Sequence, residues 1–177
     1  MSQAAVVIGF FGKLPSRGDF VRAGLPSGFV TAWDAWLQAV LPVSRVALGA
    51  DWDAAWLEAP VWRFRLDPGT CGPGGALGLW MPSVDSVARG FPLTIAAVFD
   101  GAAPDDESWL DDAERCGRAA LADDWAPADL MASLPDPTGR EPAQAGWWTE
   151  GAPLVPPGTR PGGLPDGEGF TRMLAAP

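Results

Sequence analysis

The amino-acid sequence predicts an α+β fold: a single domain spanning residues 1–177, with a mainly antiparallel sheet and helices packed on it. Three observations lead there. Four apolar runs have strand length, Ala5 to Phe11, Val61 to Leu66, Ala76 to Met81 and Leu93 to Phe99. The last three follow one another through short connections, which favours antiparallel pairing. Elsewhere, apolar residues recur at helical spacing between turn-forming Gly and Pro.

In chain order, Ala4 to Phe11 is an apolar run rich in Val, Ile and Phe and is closed by Gly12. A polar loop, Lys13 to Asp19, follows, with Leu14-Pro15 and Arg17-Gly18 as turn signals, and Phe20-Val21-Arg22 resumes extended structure. A helix opens at Pro26-Ser27 with Ser27 as its expected N-cap, and Phe29, Trp33, Trp36, Leu37, Val40 and Leu41 form its apolar stripe. Pro42 is expected to break or kink it, leaving a second piece from Ser44 to Leu48 that ends at Gly49. Asp51 is expected to cap a third piece carrying Trp52, Trp56 and Leu57, ended by Pro60.

Within Val61 to Leu66, Trp62, Phe64 and Leu66 alternate with Arg63 and Arg65, which predicts a half-buried strand with a basic outer face. The glycines from Gly72 to Gly78 lead into a strand with no Lys following, so they read as a hairpin loop rather than a phosphate cradle. Pro104 to Glu107 starts an acidic helix with Trp109, Leu110, Ala113, Cys116, Gly117, Ala120 and Leu121 on its apolar side. Its charges read as a solvated face, with a partner-binding surface as the other possibility. Pro127 starts a short helix to Leu134. Residues 135–177 hold nine Pro and eight Gly, so this C-terminal segment is expected to be loop-rich and to dock on the body through Trp147-Trp148 and Phe170 to Leu174.

Composition narrows the function classes. The formal net charge is −10, which repels nucleic acid and anionic membrane surfaces as partners. Most of it is local: residues 100–129 carry ten acids against Arg115 and Arg118. There is no His, which removes the Ser-His-Asp and Cys-His nucleophilic arrangements and His-based zinc sites. The two Cys, Cys71 and Cys116, are far apart in sequence and give neither a zinc spacing nor a disulfide framework. No metal and no cofactor is expected. The N-terminal residues lack a basic region and no apolar run reaches membrane-spanning length, so a cytoplasmic protein without membrane insertion is expected.

Two polar loops carry the sharpest signal. One contains Lys13, Ser16, Arg17 and Asp19; the other, bounded by Pro82 and Pro92, contains Ser83, Asp85, Ser86 and Arg89. If they meet, they form an ion-pair cluster with two readings. One is an anion-recognition or catalytic pocket. The other is a buried network that pins the loops to the sheet, since buried charges must be paired. Trp147 and Trp148 point to opposite sides in an extended chain, which leaves two readings: core packing, the favoured one, or one core residue and one exposed partner-binding anchor.

The ordered series Gly9-Phe10-Phe11-Gly12-Lys13-Leu14-Pro15-Ser16-Arg17-Gly18-Asp19-Phe20, Trp33-Asp34-Ala35-Trp36-Leu37, Ser44-Arg45, Ala59 to Phe64, and Met81-Pro82-Ser83-Val84-Asp85 with Arg89 and Phe91-Pro92-Leu93 resembles the TagF (ImpM) family of type VI secretion-associated proteins. The likeness is strong from Gly9 to Phe99 and weaker at Trp147-Trp148-Thr149 and Phe170 to Leu174. It implies a bacterial cytoplasmic accessory protein and a post-translational repressor of secretion. It further implies binding to apparatus components, the forkhead-associated scaffold protein among them. Some members of the family carry a fused phosphatase domain; this chain reads as a stand-alone member. The resemblance lends no catalytic activity, and none is expected. The alternative is a small hydrolase or phosphotransferase with Asp19 or Asp85 as base or metal ligand. A further one is an anion- or phosphopeptide-binding module using Lys13, Arg17 and Arg89.

Overall fold

The computed structural model describes residues 5–177. The N-terminal part of the reading against a targeting signal rests on residues 1–4 and lies outside the described residues. Among the described residues seven strands form one sheet: β1 (Val6–Gly12), β2 (Val21–Ala23), β3 (Trp62–Leu66), β4 (Ala76–Met81), β5 (Leu93–Phe99), β6 (Gly146–Thr149) and β7 (Gly158–Pro161). Their order is β2-β1-β5-β4-β3-β6-β7, with every neighbouring pair antiparallel. The expected α+β class and antiparallel sheet are therefore present. Five α-helices accompany them among the described residues: α1 (Ser27–Leu48), α2 (Trp52–Leu57), α3 (Glu107–Ala122), α4 (Pro127–Ser133) and α5 (Gly167–Leu174).

The sheet is covered on both faces. On one face α1, α2 and α5 pack over Phe64, Leu66, Ala76, Trp80, Ala96 and Trp147. On the other α3 and α4 pack over Leu77, Leu79, Met81, Leu93, Ile95 and Ala97. Burial on both sides is why β4 and β5 lack apolar–polar alternation. The first core is aromatic: Trp33 lies against Trp36, Phe64 and Trp147, and Trp56 stacks between Trp52 and Trp80. Apart from Trp80, whose buried Nε1 has no partner among the described residues, their indole N–H groups find acceptors. Trp33 donates to Thr94 Oγ1 at 2.9 Å and Trp62 to the Met173 carbonyl at 3.0 Å.

The structure corrects four expectations. Pro42 does not break α1, which runs 22 residues through it. A proline removes one helical hydrogen bond, and here the buried stripe on both sides, with Leu41 and Ser44 facing the core, outweighs that loss. Ser27 is the first helical residue; Pro26 is the N-cap, and no side chain caps the end. Asp51 does stand at the N-cap position of α2, but its side chain makes no capping hydrogen bond, and it closes a 3-10 turn, Gly49–Asp51, that leads into the helix.

The fourth correction concerns charge. Arg63 and Arg65 are buried, not an outer basic face. Arg63 reaches Glu107 and Asp111 at 2.8 Å and Glu114 at 3.4 Å, all on α3. Arg65 pairs with Asp105 at 3.0 Å and donates to the Pro104 and Gln144 carbonyls. The acidic helix is thus not simply a solvated face: one row of its carboxylates clamps β3. The C-terminal segment contributes β6, β7 and α5 as well as loops.

Candidate functional site

Strand pairing decides where the two polar loops go. The end of β1, Gly12, pairs with Leu93 at the start of β5, and the end of β4, Met81, pairs with the same Leu93. The loop leaving β1 and the loop joining β4 to β5 therefore emerge at one end of the sheet, side by side. Ser86 N–H donates to the Arg17 carbonyl at 3.0 Å, and Ser83 Oγ donates to the Lys13 carbonyl at 2.7 Å.

Asp85 is the hub. Its Oδ2 accepts from Lys13 Nζ at 3.0 Å and from Arg89 Nε at 2.6 Å. Its Oδ1 accepts the backbone N–H groups of Val87 at 3.1 Å and Arg89 at 2.9 Å. Both oxygens therefore carry two donors, which fills the usual capacity of a carboxylate. Burial alone would push the Asp85 carboxyl up. The Arg89 N–H, the Lys13 ammonium, the Arg89 side chain and the Val87 N–H outweigh it and hold the carboxyl well below the usual range. The turn is tight enough to place Ala88 at φ 63, the left-handed region that non-glycine residues rarely adopt.

Aromatic rings enclose the ammonium: Lys13 Nζ lies 5.2 Å from the Phe20 ring centroid and 5.9 Å from that of Phe91. Phe11, Phe20 and Phe91 contact one another. Trp56 Nε1 donates to the Ser83 carbonyl at 2.9 Å, tying the loop to α2.

Of the residues singled out from sequence, Lys13, Ser83, Asp85 and Arg89 are brought together. Ser16, Arg17 and Asp19 are not: all three are exposed, and among the described residues neither Arg17 nor Asp19 forms an ion pair. Asp19 Oδ1 instead accepts the N–H of Phe20 at 2.9 Å. The reason is geometric: the loop turns outward after Leu14, which is itself fully buried. Trp147 is core, with Nε1 donating to the Gly163 carbonyl. Trp148 faces the other side, half-buried, with the Arg65 guanidinium over its ring at 5.0 Å.

Sequence reasoning missed Arg45 and Trp52. With Lys13, Phe20, Arg89 and Phe91 they line an open groove of about 490 Å³ between α1, α2 and the two loops. The signal available was the i, i+7 step from Arg45 to Trp52, masked by the expected breaks at Pro42 and Gly49.

Comparison with known proteins places this architecture. Residues 9–136 match the family described as TagF N-terminal domain, type VI secretion system-associated. No curated protein matches the chain. Among solved structures, PA0076 from Pseudomonas aeruginosa PAO1 is 33% identical, superposes with a TM-score of 0.84, and is matched over 96% of this chain and 94% of its own. The family match spans well over half of the chain and contains both loops, so the protein belongs to the TagF family of type VI secretion-associated proteins.

Proposed function

We propose that the protein is a post-translational repressor of type VI secretion, acting in the cytoplasm by binding apparatus or scaffold components and not by turnover. Family membership supplies the secretion context. The observation that carries the docking reading over the hydrolase reading is the saturation of Asp85. A general base needs a free lone pair directed at its substrate and a pKa near the working pH. Asp85 has neither, because four donors occupy it and hold it ionised. The other carboxylate of the alternative, Asp19, stands exposed and apart from Lys13 and Arg89. The two loops are thereby tied to each other and to α2, and pre-organisation of this kind suits a binding surface.

The forkhead-associated scaffold protein is the partner this reading names first. Calorimetric titration of the purified protein with the cognate scaffold, alongside secretion assays in cells lacking and overproducing it, tests the reading. Binding, with secretion raised in the deletion and silenced on overproduction, is expected. Absence of binding to every apparatus component, or an unchanged secretion level, refutes it.

A further inference from the structure

We propose that the groove between α1, α2 and the two loops is the docking site for an acidic peptide segment of the partner, one that sets an apolar side chain beside its carboxylates. The proposal rests on the docking reading above and names the surface and chemistry involved.

The charge balance of the groove is the first ground. Lys13, Arg45 and Arg89 line it against a single lining acid, Asp53. Lys13 and Arg89 share one carboxylate, Asp85, sealed beneath them. Among the described residues Arg45 has no acidic partner. Its guanidinium lies over Trp52, 4.3 Å from the ring centroid, and gives one hydrogen bond, to the Gly90 carbonyl at 3.1 Å. The ring and the carbonyl hold the side chain in place and leave further N–H donors for a carboxylate.

The rest of the molecule sharpens the contrast. The protein carries a net charge of −10, concentrated between residues 100 and 129. Helix α3 and the first turn of α4 fall within that span, and both helices pack on the opposite face of the sheet from α1 and α2. An acidic segment is repelled by that face and drawn to this groove, the arrangement that steers association.

The apolar element is the second ground. Leu41, Trp52 and Phe91 are buried in the groove wall, and Phe20 stands at the rim, 44% exposed. A partner of charge alone leaves that ring uncovered; an adjacent apolar side chain covers it.

The test uses the full chain and three labelled peptides of equal length, read by fluorescence anisotropy. One alternates Asp and Glu with Leu and Phe. Its counterpart carries Asn and Gln in place of the acids. The third is that neutral peptide with one phosphoserine. The acidic peptide is expected to bind, and more weakly as salt rises. Arg45→Glu weakens it by about tenfold or more, and Asp53→Asn tightens it severalfold. Both positions are exposed, so both variants are expected to fold. Arg45→Glu also gives up the Trp52 contact and the Gly90 hydrogen bond, so its melting curve is recorded alongside, and Arg45→Lys, which keeps the charge, is expected to retain most of the binding. Equal binding of the neutral peptide, binding of the phosphopeptide alone, no binding of the acidic peptide, or indifference to Arg45→Glu overturns the proposal. Titration with the cognate scaffold separates the two readings. If the parent binds and Arg45→Glu binds equally, only the groove assignment is lost. If the parent binds no apparatus component, the docking reading itself is lost.

Discussion

Removing the segment after residue 136, where the family match ends, should abolish cooperative folding. That boundary falls inside one continuous sheet: β6 pairs with β3, and Trp147 packs among Trp33, Trp36 and Phe64. Helix α5 sets Phe170, Met173 and Leu174 into the same core, each fully buried. With Trp147 and Val155, these are five buried apolar side chains. At about 1.5–3 kcal/mol each they contribute about 8–15 kcal/mol, comparable to the whole net stability of a domain. The point change Phe170→Ala isolates one share of this. The ring meets Trp36 edge-on and Trp80 at a tilt, so truncation leaves a cavity costing about 3–5 kcal/mol. For a chain of this size that lowers the melting temperature by about 6–20 °C. Thermal unfolding followed by near-ultraviolet circular dichroism reads both, since the packed Trp cluster supplies the signal. A truncated chain that melts cooperatively with its near-ultraviolet bands intact, or a Phe170→Ala variant shifted by less than a few degrees, refutes the reasoning.

Asp85 should make stability fall in acid. Its folded pKa is depressed, so its stabilisation is present above the unfolded value near 4 and is lost as pH falls through the folded value. Melting temperatures measured from neutral pH downward should therefore decline below about pH 4, and Asp85→Asn should melt lower at neutral pH with a shallower acid decline. Asp85→Ala should impair repression through instability, so an intact melting temperature with complete loss of repression would contradict the structural role. Arg63→Met should cost about 2–3 kcal/mol by chemical denaturation. The figure lies below that for a sealed ion pair because Glu107 and Asp111 are 53% and 66% exposed and return to water. The Cys71 thiol, buried and pushed up to about 11 by desolvation, should resist a thiol reagent at pH 8 in the native protein. Cys116 is half-buried and should react, so one thiol is counted natively and two in denaturant.

The local structure of this chain is legible residue by residue. Strands β1, β3, β4 and β5 follow from runs of Val, Ile, Phe and Leu closed by Gly or Pro, and α3 and α4 follow from apolar spacing and a proline at the first helical position. The short strands β6 and β7 escape because four residues each, Gly-Trp-Trp-Thr and Gly-Thr-Arg-Pro, carry too little periodicity to stand out from a loop. Burial of Arg63 and Arg65 was hidden for another reason. Alternation along β3 places the two arginines on one side but says nothing of what covers that side, and α3 arrives there from 44 residues away. The polar loops show the same division. Their composition dictates that any buried charge find a partner; only the antiparallel pairing of β1 and β4 with β5 chose which residues meet. It brought Lys13 and Arg89 to Asp85 and turned Arg17 and Asp19 to solvent. Propensity and patterning act over a turn or two of chain, whereas partners across a sheet are chosen by the free energy of burying the whole core at once.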